Sequence, residues 1–207
     1  MSLDPNDALD TDISGSRARD MGPRDRMIAH AADLIGRDGV PGTSIGDVLA
    51  ASKAPRGSIY HHFPGGKSEL MTEAVRFAGE FVSSRIADTS AGSAADAVFA
   101  IGDVWRKMLV NTDFQRGCPV LAGGLARRSE PATADEADAI FRRWRHQISA
   151  RLVYEGVDDA RADSLATLVI SGIEGAVGVS LTQRSVEPLD SVITELARLC
   201  ESAVVPG

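Results

Sequence analysis

A short stretch of the chain collects side chains that can donate hydrogen bonds to nucleic acid. Three of these residues are consecutive, Arg56, Gly57 and Ser58. An arginine can bind a guanine edge through two hydrogen bonds, and a glycine allows a backbone to approach a groove closely. Tyr60 and His61 follow on the next turn, where donors to backbone phosphates are expected. The pattern predicts contact with double-stranded DNA.

Two short amphipathic segments must position these donors. The first covers residues 45–49, begins after Ser44, and carries an apolar face. A turn at 52–55 leads into the second segment, in which Ile59 and Phe63 are spaced to anchor a helix from behind. These are the proportions of a helix-turn-helix, whose second helix enters a DNA groove about 12 Å wide.

Apolar residues recur at helical spacing along most of the chain, and no alternating run of β-branched residues occurs. Asp38-Gly39 is expected to end the first helix, and Asp47 lies at capping-box distance from Ser44. The pattern predicts an all-α fold of about nine helices. We expect a flexible tail over 1–22, a three-helix DNA-binding domain over 23–70, and a helical ligand-binding and dimerisation domain over 71–207.

The charge distribution agrees with a DNA contact at one end of the chain. The 207 residues carry a net charge of −7, but residues 1–16 hold four Asp and no basic residue, whereas 17–70 hold eight Lys/Arg against six Asp/Glu. No stretch approaches the roughly 20 apolar residues needed to span a bilayer, and the N-terminus lacks the features of a signal peptide. We therefore expect a cytoplasmic protein without membrane contact.

Other chemistries are disfavoured. Gly66-Lys67-Ser68 would complete a phosphate-binding loop only with a glycine at His61 and a preceding strand. His61 and His62 point about 100° apart on a helix and lack a carboxylate pair to complete a metal site. The two cysteines are too few for a disulfide framework. We expect no catalytic residue, metal or cofactor, and therefore no enzyme.

The stretch TSIGDVLAASKAPRGSIYHHFPGGKSEL resembles the DNA-binding segment of the TetR family of bacterial regulators. Its turn, Ser52-Lys53-Ala54-Pro55, differs from the usual Ala-Gly-Val-Ser. That turn, together with RGSIYHHFPGGK and the downstream RGCPV, resembles the LmrA/YxaF branch of the family.

The resemblance implies a role for each matching residue. Thr43 would donate to a phosphate, and Lys67 would meet another at a helix N-terminus, which attracts anions. Arg56, Gly57 and Ser58 would face bases, whereas the next turn would contact phosphates. The predicted DNA-binding set is Thr43, Ser44, Lys53, Pro55, Arg56, Gly57, Ser58, Tyr60, His61 and Lys67.

Aromatic and apolar residues cluster in the middle helices. As a group they suit a ligand cavity, although ordinary core packing is the better interpretation of any one of them alone. A nearby charged residue, Glu174, could select a cationic or hydroxylated ligand, or could simply face solvent. The predicted ligand-binding set is Trp105, Met108, Phe114, Leu121, Phe141, Trp144, Ile173 and Glu174.

The last two segments repeat apolar residues in a 3-4 pattern typical of packed helices. Gly172, Gly175 and Gly178 each cost helix stability by about 1 kcal/mol, which close approach of another helix would offset. We therefore predict a four-helix dimer interface. Its residues are Leu165, Leu168, Val169, Gly172, Ala176, Leu189, Val192, Ile193 and Leu196.

Together these features predict a homodimeric transcriptional regulator on a pseudo-palindromic operator, most simply a repressor released by a small, largely apolar ligand. Two alternatives stay open: a nucleotide-dependent enzyme using the GGKS turn, and a ligand-binding module without DNA binding.

Overall fold

The computed structural model describes residues 21–88 and 92–204, so residues 1–20 of the predicted tail lie outside the described part. Over those ranges the chain forms nine α-helices and no strand, which confirms the predicted all-α class. The helices are α1 (Pro23–Gly42), α2 (Ile45–Ser52), α3 (Ile59–His62, after a 3-10 turn at Arg56–Ser58), α4 (Gly66–Asp88), α5 (Ala94–Asn111), α6 (Pro119–Leu125), α7 (Pro131–Tyr154), α8 (Asp159–Gln183) and α9 (Glu187–Ala203).

The helices form two compact units. The first contains the described residues up to Phe81 together with Arg116–Ile140, and the second contains Val82–Gln115 with the described residues from Phe141 onward. This division differs from the predicted functional boundary at 70/71, because residues 116–140 pack with the helix-turn-helix segment, α6 lying against α1.

The local signals at the start of the first unit are confirmed. Gly39 takes a left-handed φ of 71°, so the regular part of α1 ends where Asp38-Gly39 predicted. The Ser44 hydroxyl accepts from the Asp47 N–H at 3.1 Å, and the Asp47 carboxylate accepts from the Ser44 N–H at 3.2 Å. These two bonds form the predicted capping box of α2.

In the second unit, α9 packs against both α5 and α8, and α5 also contacts α8. A Cβ at Gly102 of α5 would lie 2.1 Å from Ile193 Cδ1 of α9, so only glycine permits this approach. The core of this unit therefore lies between these three helices, where Leu109, Leu165 and Leu189 are almost completely buried.

One helix of the described residues, α8, is long and apolar enough to cross a membrane by length and composition alone, with a mean hydropathy of 1.6 over 18 residues. The expectation that no stretch approaches this limit was therefore wrong. The same helix packs through Leu165, Val169 and Ile173 into the core of its unit. Packing into this core is therefore a second explanation for the low polarity of α8.

Candidate DNA-binding surface and ligand cavity

The predicted recognition helix starts as a single 3-10 turn at Arg56–Ser58 and continues as α3. Ile59 is 1% exposed and Phe63 is fully buried, whereas Tyr60 is 68% exposed. The apolar residues therefore anchor one side, as predicted, and the opposite side presents Tyr60 and His61 to solvent.

A capped turn sets the start of this helix. Lys53 takes a left-handed φ of 55° and ends α2, a position where glycine is common. The Ser52 hydroxyl donates to the Val48 carbonyl at 2.7 Å and is buried. Pro55 then accepts from the N–H and the hydroxyl of Ser58, at 3.0 and 2.7 Å. The turn is thus built from bonds inside the chain, and it leaves the Lys53 side chain exposed.

Arg56 and Gly57 are exposed at the N-terminal end of the recognition helix. Among the described residues, a Cβ at Gly57 would have no heavy atom beyond its chain neighbours within 4 Å, and its φ is not left-handed. Neither packing nor backbone conformation within the chain therefore requires a glycine here. The free space is what close approach of an external molecule needs.

Thr43 has a structural role that the sequence did not predict, and Ser44, the predicted cap of α2, makes one further bond to Asp47. Thr43 is 1% exposed, and its hydroxyl donates to the Gly39 carbonyl at 2.8 Å. Its side chain is therefore part of the core and does not point outward as a phosphate donor. The exposed Ser44 hydroxyl donates to Asp47 Oδ2 at 2.5 Å, and hydrogen bonds from Ser44 lower the pKa of the Asp47 carboxyl.

Lys67 is the second residue of α4 and is partly exposed. The preceding Gly66 takes a left-handed φ of 68°, and the Gly65 N–H donates to Glu69 Oε2 at 2.7 Å. Because the amino end of a helix carries partial positive charge, Lys67 lies at a point favourable to an anion.

A small cavity in the second unit has a volume of about 10 Å³, room for about one water molecule. Four of the predicted ligand residues line it: Trp105, Trp144, Ile173 and Glu174. Six aliphatic residues that were not predicted also line it, although their helical spacing places them on the same faces as the predicted ones. These are Val82, Ile86, Ile101, Ile148, Val169 and Ile170.

Glu174 is the one charged residue among those that line the cavity, and it is 8% exposed. The solvent-facing alternative for Glu174 was therefore wrong. Trp144 is also buried, and its indole N–H donates to the Ser83 hydroxyl at 3.0 Å.

The other four predicted ligand residues do not line this cavity. Met108 is 4% exposed and packs in the core. Phe114 follows α5 with a left-handed φ of 56°, and Leu121 lies on α6 in the first unit. Phe141 contacts Trp144 edge-on, with ring centroids 5.3 Å apart. Aromatic character alone therefore did not distinguish the residues that line the cavity from those that pack elsewhere.

Most of the predicted dimer residues are buried within one chain. Six of them are at most 6% exposed, namely Leu165, Val169, Ala176, Leu189, Ile193 and Leu196. A Cβ at Gly172 would lie 3.1 Å from Leu196 and 3.4 Å from Val192, so this glycine allows α8 to approach α9 of the same chain. Of the predicted set, Leu168 is well exposed, at 47%.

From residue 164 onward, the α8 surface that stays exposed differs from the predicted interface and carries no charge. Leu168 and Val179 are 47% and 45% exposed, and a Cβ at Gly175 or Gly178 would meet nothing within 4 Å among the described residues. From residue 164 to 183 the one charged side chain is Glu174, which is buried. We call the residues Leu168, Ser171, Gly175, Gly178 and Val179 the uncharged α8 face.

The fold and the exposed donor helix define a helix-turn-helix DNA-binding protein with a second helical unit. The model of the tetR family of bacterial regulatory proteins matches residues 27–74. The model of the LmrA/YxaF-like transcriptional regulator C-terminal domain matches residues 94–195. The chain therefore belongs to the TetR family and is a DNA-binding transcriptional regulator.

Known relatives agree with this assignment. An uncharacterised HTH-type transcriptional regulator of Mycobacterium tuberculosis strain H37Rv is 40% identical over 185 residues, which is 86% of this chain and 94% of the relative. The uncharacterised regulator YxaF of Bacillus subtilis strain 168 is 34% identical, covering 80% of this chain and 88% of its own. A TetR transcriptional regulator structure from Chloroflexus aurantiacus J-10-FL superposes with a TM-score of 0.69 at 29% identity, over 92% and 98% of the two chains.

Proposed function

We propose that this regulator is a cytoplasmic repressor that binds a pseudo-palindromic operator as a homodimer and is released by a small, largely apolar ligand. The observation that carries the DNA contact is the exposed side of the recognition helix. There Arg56, Tyr60 and His61 face solvent beside a glycine that no contact among the described residues requires. Arg56 would read a base edge, and Lys67 would bind a phosphate.

The predicted contact set is narrowed by the geometry. We keep Ser44, Lys53, Pro55, Arg56, Gly57, Ser58, Tyr60, His61 and Lys67 as candidates for contact, and assign Thr43 a structural role. Ser58 would donate a hydrogen bond to DNA only after its hydroxyl leaves the Pro55 carbonyl, to which it now donates at 2.7 Å.

The test starts with selection of genomic DNA fragments by the purified full-length protein, followed by affinity measurements on a selected fragment. Arg56→Ala should weaken binding by about 1–3 kcal/mol and relax preference at one operator position. Lys67→Ala should weaken all sequences alike and reduce the salt slope by about 1. Arg143→Ala, at an exposed position on α7, is the matched control and should change neither the operator affinity nor the salt slope.

Each alternative corresponds to a distinct result of this experiment. A protein that retains no fragment supports the ligand-binding module. A protein that retains no DNA fragment but binds ATP or GTP saturably supports an enzyme that uses the GGKS turn. Equal effects of Arg56→Ala and Lys67→Ala on operator and scrambled DNA would contradict the assigned roles.

For the ligand, we propose entry at the cavity between Trp105 and Trp144, with Glu174 as the polar wall. Ligand pockets usually hold about 300–1,000 Å³, whereas the present space is about 10 Å³. Binding must therefore separate these walls, and a ligand that stabilises the opened form shifts the protein away from the DNA-binding state. Single-tryptophan variants, Trp105→Phe and Trp144→Phe, would report entry by fluorescence, and the same compound must lower operator affinity.

For the dimer, we propose that the uncharged α8 face packs against its two-fold copy. Such an exposed, charge-free helix surface is unusual for a monomer, and the glycines allow close helix approach. This replaces the predicted interface, whose residues are mostly used inside one chain.

A further inference from the structure

An ion-pair network links three helices of the first unit. Nε and Nη2 of Arg76 on α4 donate to the two carboxylate oxygens of Glu136 on α7, at 3.1 and 2.8 Å. Nη1 of Arg76 donates to Glu73 Oε1 at 2.7 Å. The other oxygen of Glu73 lies 3.4 Å from Nη2 of Arg24, on α1. Positive and negative groups therefore alternate from α7 through α4 to α1.

The network ends on the residue that closes the recognition helix. The guanidinium carbon of Arg24 lies 5.1 Å from the centroid of the Phe63 ring, a cation–π distance. Phe63 is fully buried, and its N–H donates to the Ile59 carbonyl at 2.7 Å, at the end of α3. A continuous set of contacts thus joins Glu136 to the C-terminal end of the recognition helix α3.

The Arg76–Glu136 pair at the centre of this network differs from an ordinary surface pair, which contributes little. The Glu136 and Glu73 side chains are only 16% and 26% exposed, and the Arg76–Glu136 contact is a two-bond fork, the strong form of this pair. Hydrogen bonding to Glu136 raises the pKa of Arg76, and an arginine guanidinium keeps its charge in proteins in any case.

The helices that the network joins are also packed closely beside it. The hydroxyls of Thr72 and Thr133 are 3.1 Å apart across α4 and α7. One helical turn beyond Arg76, a Cβ at Gly79 would lie 2.6 Å from Ile140 Cδ1. The fork between Arg76 and Glu136 therefore lies inside a tight helix contact and cannot move independently of it.

We propose that Arg76 is a positioning residue for DNA binding. Through Glu73 and Arg24 it holds Phe63, and thereby the recognition helix, at the angle at which Arg56 faces a base edge. Arg76 itself contacts no DNA. This inference rests on the proposed function, because it concerns the affinity of the same operator.

Replacing a carboxylate of the network by an amide changes operator affinity in opposite directions under the two explanations, positioning and simple electrostatics. Glu73→Gln and Glu136→Gln each remove a negative charge from a protein that binds a polyanion, which by charge alone should tighten binding. Positioning predicts the opposite, a loss of operator affinity of about 2- to 30-fold, the range for changes along coupling networks. Asp135→Asn is the matched control, because Asp135 pairs with Arg127 on the surface, at 2.7 Å, outside the network.

The experiment uses the full-length protein and the selected operator fragment, with thermal melting measured in parallel. Arg76→Gln should lower operator affinity without changing the salt slope, since no phosphate contact is lost, whereas Lys67→Ala lowers the slope by about 1. The double variant Arg76→Gln/Glu73→Gln should bind about as weakly as Arg76→Gln, because both act through one path.

Two results would overturn the inference. The first is unchanged or tighter binding by Glu73→Gln and Glu136→Gln, and the second is a loss fully accounted for by the unfolded fraction seen in melting. If the wild-type protein selects no DNA at all, the proposed function itself is contradicted. This outcome differs from both results above, in which the wild type binds its operator.

Discussion

Trp144 and Ser83 are joined by a buried hydrogen bond, in which the indole N–H donates to the serine hydroxyl at 3.0 Å. Ser83 lies on α4 and Trp144 on α7, and the tryptophan also lines the small cavity. Gln147 adds a second bond to the same residue, from its amide nitrogen to the Ser83 carbonyl at 3.3 Å. Ser83 therefore sets the position of one wall of the proposed ligand site.

We predict that Ser83→Ala destabilises the fold and alters the surroundings of Trp144. Loss of the hydroxyl deprives a buried indole N–H of this acceptor, at a cost of about 1–3 kcal/mol. Urea unfolding gives the free energy, and iodide quenching of Trp144 in the Trp105→Phe background reports its accessibility. Ser164→Ala removes an exposed serine hydroxyl on α8 as a control. Equal stability of the two variants would contradict the prediction.

We predict that Gly36→Ala weakens the contact between α1 and the segment before α6. A Cβ at Gly36 would lie 2.7 Å from Arg116 Cγ and 2.8 Å from the Gly117 carbonyl oxygen. That backbone is held by the Gly117 N–H donating to the Gly36 carbonyl at 2.8 Å, and by the Arg116 pair with Asp33 at 2.7 Å. Overpacking of this kind costs about 1–3 kcal/mol.

A matched substitution checks this interpretation. Gly46→Ala, also in a helix, would place its Cβ in contact with Ser44 alone, at 3.5 Å. It should stabilise the protein by several tenths of a kcal/mol, up to about 1, through helix propensity. Opposite signs for the two Gly→Ala changes in thermal melting are the expected result, and stabilisation by both would show that the approach of Arg116 to α1 is not limiting.

We predict that Gly175→Arg separates the dimer without unfolding the chain. No atom of the described residues lies within 4 Å of a Cβ at Gly175, so the arginine fits within one chain but blocks close approach of a second. Light scattering after size exclusion should show a dimer for the wild type and a monomer for the variant, with equal helical content by circular dichroism. Ala150→Arg, at an exposed position of α7, should leave the dimer intact. A dimeric Gly175→Arg protein would place the interface elsewhere.

We predict that stability falls above pH 9 in part through Cys200. Burial raises the pKa of this thiol from 9.0 to about 11. Between those values the unfolded chain has lost the thiol proton while the folded chain keeps it, so the free energy of unfolding declines by up to about 1.4 kcal/mol per pH unit. Urea unfolding at pH 8 and pH 10 measures the decline, which should be smaller for Cys200→Ala. An equal decline in both proteins would contradict this role.

The helix-turn-helix could be predicted from sequence because its signals are local. The capping box of Ser44 and Asp47, the stop at Gly39 and the anchoring pair Ile59 and Phe63 each depend on residues within a few positions of one another. Local hydrogen bonds and backbone preferences are set by nearby sequence, so the structure reproduces them. The exposure of the donor side of the recognition helix follows from the same short-range periodicity.

What only the tertiary structure decided is which surface each apolar face meets. The 3-4 pattern of α8 and α9 shows that a face is buried, but the same pattern arises whether the neighbour belongs to the same chain or to a second copy. Gly172 proved to face Leu196 of its own chain, while Gly175, three residues on, is open. Burial of Glu174 and Thr43 likewise depends on the elements packed around them, and local sequence preferences do not determine that packing.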